Sequence, residues 1–502
     1  MVKSWKAASA ALSLVLAAST ILSACGGDKS KEGESGAAGT GDGKTYEVAM
    51  AYIQLNDMPD VNLIQEEINK LSKAKINAMV KLIPISIANW TQQTNLMLAG
   101  NEKLDLMVSS SLFNYASQVA KGQLEPLDEL LNQYGKGVIE AVGQDVLNGS
   151  KVDGRIYGVA SLRDMGADYG VIMRKDLVDK HNIDLSKIKT WADLEPVYQM
   201  IKDKEPGLAP LVQQTNTAMP ATNIFNVNVD SIGDNLGGLL DPGNSTKFVN
   251  YFEVPAYKET LDMVNKWYKA GYIMKDIATS QEIGVNLVKA GKAFSYFSNM
   301  KPGFEQQESN LAGMPLVAVR LSPAIQKADA ISSFMMSVTK NSENKQKAME
   351  FMNLLYTDKD IMNLLALGIE GKHYVKTTGN HIKLPDGVKQ SGYQFNQWEI
   401  GNNFLTYVWE GTDPKIWELT KAHNQNAVKS KALGFSWNVD PVKTEIAAAT
   451  NVLNQYKAGL ESGTLDPALL GEFNTKLKAA GLDKIIAEKQ KQFDAWLKTA
   501  GK

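Results

Sequence analysis

The sequence is almost free of cysteine and poor in histidine, the side chains on which many metal and nucleophilic sites depend. Cys25 is the only cysteine among 502 residues, so no pair exists from which an internal disulfide could form. Neither a G-x-S-x-G motif nor an H-E-x-x-H motif occurs. The histidines are His181, His373, His381 and His423. We therefore predict no catalytic residue, no cofactor and no metal ion.

Charge of either sign is not in surplus. The chain has 53 Lys and Arg residues against 55 Asp and Glu residues, a net charge of −2, so nothing in it attracts nucleic acid. Hydrophobic residues make up 44% of the chain, which is normal for a globular protein. The length predicts two or more domains, and without disulfides their cores alone must hold them.

An uncharged run close to the N-terminus predicts a secretory signal. It covers residues 7–22, follows Lys3 and Lys6, and falls short of the roughly 20 apolar residues that a comfortable membrane span needs. The run closes in LSAC at residues 22–25, which resembles the bacterial lipoprotein signal. That resemblance implies that residues 1–24 are removed and that Cys25 carries a lipid through its sulfur. The alternative is an ordinary signal peptide with an incidental cysteine.

Residues 25–44 form a polar, Gly-rich tract that predicts a flexible linker. Its end, AGTGDGKT at residues 38–45, matches the relaxed phosphate-loop pattern A-x-x-x-x-G-K-[ST]. A phosphate loop needs a strand before it and a helix after it, because backbone N–H groups must converge on the phosphates. Here the polar tract comes first and the strand-like YEVAMAYI follows. We interpret the match as chance, and ATP binding is not predicted.

Strands and helices alternate after the linker. Strands are predicted at 46–53, 76–85 and 104–109, with helices between them at 61–71 and 90–99. This βαβαβ order predicts a mostly parallel sheet whose ligand lies beyond the carboxyl ends of the strands. Further predicted strands cover 155–160, 168–173, 293–297 and 331–338. The Asp-Pro pairs that begin at Asp413, Asp440 and Asp466 predict three helix starts, so the C-terminal region should be helical.

Several segments resemble the extracellular solute-binding proteins of bacterial ABC importers that take up sugars and oligosaccharides. The resemblance rests on Tyr169–Leu194, on DGRIYGVA (153–160) and on AGKAFSYF (290–297). LLALGIEGKHYV (364–375) and LGFSWNVDPVKTEIA (433–447) resemble the Gram-positive lipoprotein subgroup with an extra helical C-terminal region. The resemblance implies an α/β fold: a two-lobed, periplasmic-binding-protein-like (type II) clam-shell with a helical C-terminal extension.

The same resemblance implies which step each polypeptide of the importer performs and how this chain is divided between two lobes. The lipid-tethered receptor, expected as a monomer, captures an oligosaccharide and engages membrane-embedded permease subunits, while a different polypeptide hydrolyses ATP. Two or three crossing segments should join the lobes. We expect the first lobe to comprise 45–162 and 293–345, and the second lobe 163–292 and 346–502.

Sugar binding needs aromatic rings for the apolar C–H faces and polar groups for the hydroxyls. Positions after predicted strands, loops with aromatic residues and the GIEGKHY turn supply candidates. The predicted ligand-binding residues are Trp90, Ser110, Asn114, Arg163, Asp164, Lys301, Glu370, Tyr374 and Trp437. Each has an ordinary structural alternative: a buried ring, a surface ion pair or a tight turn.

Two other functions stay open on the sequence alone. A surface-anchored glycan hydrolase or lyase would also bind sugars, and the spacing of paired carboxylates cannot be derived from a sequence. A receptor of the same design could equally carry a peptide or another small metabolite, because a fold does not determine its ligand.

Overall fold

Two separate sheets organise the residues that this computed structural model describes, which are 44–100 and 102–500. The predicted signal, Cys25 and nearly all of the linker lie outside the described residues. We number the strands of the two sheets in chain order. They are β1 Tyr46–Gln54, β2 Ala78–Ser86, β3 Leu106–Ser109, β4 Val159–Ala160, β5 Asp168–Arg174, β6 Ala209–Val212, β7 Ala293–Met300, β8 Leu316–Arg320 and β9 Met335–Val338.

The first sheet has the strand order β2-β1-β3-β9-β4. Strands β1, β2 and β3 are parallel, whereas β9 runs antiparallel to both of its neighbours. Six consecutive residues of β1, Val48–Ile53, are buried, as expected for a strand that is covered on both faces. The helix Val61–Ile76 packs Ile64 and Ile68 into this core and ends at Asn77, whose φ of 48° turns the chain into β2.

The second sheet has the order β8-β5-β7-β6. Strands β6 and β7 are parallel to each other, and β5 is antiparallel to both β7 and β8. Its core continues into the C-terminal helices, where Ile485 and Phe493 of the closing helix (Leu482–Ala500) are fully buried. Thr190 and Asp193 form a capping box at the start of the short helical turn Trp191–Leu194, which precedes the helix Glu195–Lys204.

The remaining elements complete the two lobes. Helices of eight or more residues are Val61–Ile76, Trp90–Ala99, Glu195–Lys204, Pro255–Lys269, Phe304–Ala312, Lys345–Thr357, Lys359–Leu367, Ile416–Asn426, Lys443–Ser462, Leu470–Ala479 and Leu482–Ala500. Shorter α-helices are Tyr115–Ala120, Asp128–Tyr134, Lys136–Val142, Gln144–Asn148, Lys175–Lys180, Pro220–Phe225, Gly284–Lys289 and Asp329–Ser332. Small sheets use Lys151–Val152, Arg155–Ile156, Val229–Asp230, Gly238–Leu240, Phe248–Val249, Ile325–Gln326, Val375–Lys376, His381–Lys383, Val408–Trp409 and Val428–Lys429. Within the described range, none of these helices is both long and apolar enough to span a membrane.

The division between the lobes differs from the predicted one in two places. Strands β7 and β8, predicted in the first lobe with 293–345, belong to the second sheet, where Phe297 of β7 pairs with Val171 of β5. The helices Lys345–Thr357 and Lys359–Leu367, predicted in the second lobe with 346–502, pack in the first core. The chain crosses between the two cores at about 161–167, 321–334 and 402–432, so the second and third crossings come later in the sequence than 293 and 346.

Candidate ligand-binding cleft

Two crossing segments connect one edge of the first sheet to one edge of the second sheet. The carboxyl ends of β1, β2, β3 and β4 share one edge of the first sheet, because β4 is antiparallel to β9 as β3 is. The carboxyl ends of β6, β7 and β8 share one edge of the second sheet. The short segment 161–167 leads from the end of β4 to β5, and 321–334 leads from the end of β8 to β9. Both segments join these two edges, so the edges border one cleft.

The first edge combines exposed apolar side chains with neutral hydrogen-bonding groups. Leu55, Ile87 and Leu112 follow β1, β2 and β3, and they are 47%, 49% and 57% exposed. The surrounding residues are rich in Ser, Asn, Thr and Gln, as in SIANWTQQ (86–93) and SSSLFNYASQ (109–118), and contain neither Lys nor Arg. Apolar patches framed by amides and hydroxyls are the surface that a sugar ring requires.

The second edge carries a depression of about 320 Å³. Gln214 follows β6, and its Nε2 donates to Ser298 Oγ at 2.7 Å and to Asn299 Oδ1 at 3.0 Å on β7. The exposed side chains of Ile283 and Leu311 border the same depression. An ordered amide and hydroxyl array beside apolar side chains thus repeats the character of the first edge.

The charged groups beside this depression are paired with one another. The carboxylate of Asp164 lies 3.5 Å from Lys301 Nζ and 3.9 Å from Arg163 Nη1. Arg320 pairs with Asp168 and also donates from Nη2 to the carbonyl oxygen of Lys301 at 2.9 Å. Burial raises the pKa of Asp168, and Arg320 opposes that shift. The cations at this edge are therefore already engaged by carboxylates.

A buried tyrosine lies under the same depression. The hydroxyl of Tyr296 donates to the carboxylate of Glu308, and both side chains line the depression. Burial, followed by the hydrogen bond to Glu308, raises the pKa of Tyr296 above its ordinary value. The hydroxyl is therefore neutral at physiological pH and serves as a fixed donor beneath the amide array.

The hinge helix, Ile416–Asn426, fixes the first crossing segment. Asn424 Oδ1 accepts from the backbone N–H groups of Met165 at 2.8 Å and Gly166 at 3.1 Å, while its Nδ2 donates to the Arg163 carbonyl at 2.7 Å. Ala167 and Ile325 form a bridge between the first and second crossing segments. The base of the cleft is thus a small assembly in which all three crossing segments touch.

Five of the predicted site residues lie at the two edges. Arg163, Asp164 and Lys301 come together in the ion-pair group described above. Ser110 is fully buried, and its Oγ accepts from the N–H of Leu112, so it caps the turn that carries Leu112. Asn114 adopts a left-handed φ of 61° directly after that turn. Their contact with a ligand stays a prediction.

The two tryptophans that were predicted to bind the ligand are instead buried in the cores of the two lobes. Trp90 is 1% exposed in the first core, with its ring centroid 6.3 Å from that of Phe113. Trp437 is 8% exposed in the second core, and Lys489 Nζ lies 5.1 Å from its ring. Neither indole offers an open face, so the packing does not support the predicted stacking role. The physical reason is the large area that a buried indole removes from water.

The GIEGKHY turn also has structural contacts in place of the predicted ones. Glu370 pairs with Lys376 at 2.7 Å, and the buried ring of Tyr374 lies 6.0 Å from that of Tyr407. His373 Nδ1 accepts from the N–H of Ile369 at 2.9 Å, and its Nε2 lies 3.1 Å from Asp60 Oδ2. The turn thereby joins a small sheet to the first lobe, and the packing does not support a cleft role for Glu370 or Tyr374.

Sequence reasoning missed Gln214, Ser298 and Asn299 of the second edge and Ile87 and Leu112 of the first. The available signal was composition: QQTNT at 213–217 and SSSLFN at 109–114 are polar, uncharged runs that follow strands. Such runs have no single diagnostic residue, and only the pairing of β6 with β7 places Gln214 beside Ser298 and Asn299.

Comparison with known proteins identifies the class to which this geometry belongs. Residues 57–362 match the family model described as bacterial extracellular solute-binding protein, which is more than half of the chain. The chain belongs to this solute-binding protein family. Residues 431–498 of the solute-binding protein match a second model, a domain of unknown function (DUF3502).

Individual relatives agree with that assignment. The solute-binding protein is 30% identical over 518 residues to a carbohydrate ABC transporter substrate-binding protein of Streptococcus pneumoniae serotype 4, with 99% of both chains covered. It is 22% identical over 379 residues to a polygalacturonan/rhamnogalacturonan-binding protein of Bacillus subtilis, covering 72% of this chain and 73% of the relative.

Solved structures show the same fold. The N-glycan transport solute-binding protein (NgtS) of Streptococcus pneumoniae is 28% identical, with 90% of this chain and 99% of that chain covered and a TM-score of 0.79. Its complexes with Man1GlcNAc and Man5GlcNAc have TM-scores of 0.70 and 0.67. The predicted fold class, a two-lobed α/β clam-shell with a helical C-terminal extension, is confirmed.

Proposed function

We propose that this protein captures an oligosaccharide between its two lobes outside the cell and delivers it to the membrane subunits of an ABC importer without altering it chemically. The observation that carries the proposal is the pair of facing edges, each with exposed apolar side chains set among amides and hydroxyls. The carbohydrate relative and the sugar complexes of NgtS support the choice of ligand.

Closure of the cleft is part of the proposal. The chain has a higher TM-score, 0.79, to the NgtS structure described without a sugar than to the two complexes, at 0.70 and 0.67. Exposed leucine and isoleucine side chains on both edges also fit an open state, because closure on a ligand would remove their apolar surface from water. The ligand supplies the contacts that favour the closed form.

A panel of purified oligosaccharides tests the function. Calorimetry should show saturable binding of at least one of them, and chromatography of the recovered sugar should show it unchanged after prolonged incubation. Cleaved or modified sugar would assign the protein to the glycan-degrading enzymes instead. Binding of peptides with no response to any saccharide would assign it a different cargo.

The charge pattern predicts a preference for neutral sugars. Because Asp164 and Asp168 already engage Lys301, Arg163 and Arg320, a uronate carboxylate at the second edge would have to compete with these two carboxylates for the same cations. We expect a neutral oligosaccharide to bind at least ~10-fold more tightly than a uronate-containing one of equal length. Calorimetry on matched pairs measures this ratio. Equal or tighter binding of the uronate would contradict the charge argument but leave sugar capture intact.

Lipid attachment at Cys25 is the second part of the proposal that the sequence supports. We expect Cys25→Ser to move the protein from the membrane fraction of a bacterial host to the medium, because a lipid chain is the proposed anchor. Sugar affinity of the released protein should equal that of the parent. If the variant stays in the membrane fraction in the same amount as the parent protein, lipid attachment at Cys25 is contradicted.

A further inference from the structure

The closing helix places a lysine ammonium inside the second lobe. Lys489 is fully buried, and its Nζ lies among four oxygens of the loop 231–237, which we call the cradle loop. The distances are 2.7 Å to Asp234 Oδ1, 2.9 Å to the Leu236 carbonyl, and 3.3 Å to each of the Ser231 and Gly237 carbonyls. One ammonium thus donates to three backbone carbonyls and one carboxylate, all from a single seven-residue segment.

The backbone of the cradle loop is shaped to aim these oxygens inward. Ile232 and Asn235 have φ values of 55° and 59°, in the left-handed region that a β-branched residue such as isoleucine rarely adopts. Two carboxylates fix these turns. Asp230 Oδ1 accepts from the N–H of Ile232 at 3.2 Å, and Asp234 Oδ1 accepts from the N–H of Leu236 at 2.8 Å. Cation sites in proteins are typically formed by loops with strained backbone angles whose carbonyl oxygens all point to one position.

The groups around the ammonium are also typical of a cation site. Asp234 Oδ2 is buried without a hydrogen-bond partner among the described residues, so the carboxylate retains unused acceptor capacity toward a cation. The rings of Trp437 and Phe248 flank the ammonium at 5.1 Å and 5.8 Å, and aromatic faces attract cations. Burial lowers the pKa of Lys489, and the neighbouring Asp234 carboxylate opposes that shift.

We propose that the cradle loop is a cation-binding site, and that the closing helix supplies its cation as the ammonium of Lys489. The ligand class of the site is a primary ammonium ion held by carbonyl and carboxylate oxygens. Removing Lys489 leaves the Asp234 carboxylate without its counter-charge and destabilises the lobe whether or not the cradle loop can bind a separate cation. The two cases differ in whether a free cation restores what a mutation removes.

The site gives a role to the region that matches the domain of unknown function, residues 431–498. Through Lys489 this region neutralises and orders a loop that lies outside it in sequence. Asp230, the residue directly before the cradle loop, contacts the second crossing segment, because its Oδ2 accepts from the N–H of Ala328 at 2.7 Å. The C-terminal region therefore contributes a charge that holds the second lobe together next to the hinge.

Chemical rescue tests the proposal. Lys489→Ala deletes the atoms of n-propylammonium from the interior, so we expect the melting temperature to fall by about 5 °C or more and free n-propylammonium chloride to restore part of the loss. The uncharged 1-propanol and equimolar NaCl should not restore it. The parent protein should not respond, and Lys489→Ala combined with Asp234→Asn should lose the rescue.

The outcomes separate the two explanations. An unchanged melting temperature for Lys489→Ala, or equal rescue by 1-propanol, would overturn the cation site. If Lys489→Ala does not fold during expression, it is refolded from denaturant with and without n-propylammonium. Recovery of folded protein only with the amine supports the proposal, and failure under both conditions counts against it.

Discussion

Replacing both Ile87 and Leu112 with serine is expected to weaken oligosaccharide binding by about 30-fold. Each side chain is roughly half exposed at the first edge of the open cleft. Full burial of a large aliphatic side chain is worth about 1.5–3 kcal/mol, so covering the exposed half contributes about 1 kcal/mol each and about 2 kcal/mol for the pair. That free energy corresponds to about 30-fold in the dissociation constant.

The measurement is calorimetric titration with the sugar that the panel identifies. Leu96→Ser is a matched control, because Leu96 is 65% exposed on the helix Trp90–Ala99 and is not at the strand ends. It should bind like the parent. Unchanged affinity of the double variant, with an unchanged melting temperature, would remove the first edge from the binding site.

Gly170→Ala is expected to cost at least ~2 kcal/mol of unfolding free energy, because a β-carbon there would lie 2.1 Å from the carbonyl oxygen of Val319. The contact is between the backbones of β5 and β8, and neither atom can rotate away. These strands carry Asp168 and Arg320, so separation of the strands would also displace the ion pairs at the second edge.

Urea unfolding of the purified variant measures this cost. Gly471→Ala provides the control, because a β-carbon at Gly471 meets nothing within 4 Å and the residue lies in the helix Leu470–Ala479. Alanine should stabilise that helix by up to about 1 kcal/mol. Similar stabilities for the two variants would show that the sheet separates at β8 without loss.

Sequence patterns were sufficient for the parts of the fold that local forces determine. Strand β1 and the helices that begin at Val61 and Trp90 appear where the sequence predicts them, within a few residues. The start of β2 was displaced because the preceding helix continues to Ile76 before the chain turns at Asn77. Local periodicity does not mark that boundary.

The candidate site was harder to predict, because it depends on which chain segments meet. Positions after strands led to Asp164 and Lys301, whose side chains lie within 3.5 Å of each other, while their contact with a ligand stays a prediction. The same reasoning could not show that Trp90 turns into the core, since a residue's place in the sequence does not fix the direction of its ring. The third crossing of the chain, which moves 346–401 to the first lobe, has no local signature.

The strand order of the first sheet constrains how the newly made chain can fold. Strand β9 lies between β3 and β4, so β3 and β4 cannot be joined until β9 has been synthesised, and β9 begins at Met335, 175 residues after β4 ends at Ala160. Until then β3 and β4 each present an unpaired edge of buried, apolar character. Assembly of this lobe must therefore wait for the second lobe to emerge, and the waiting chain is the form most exposed to aggregation and proteolysis.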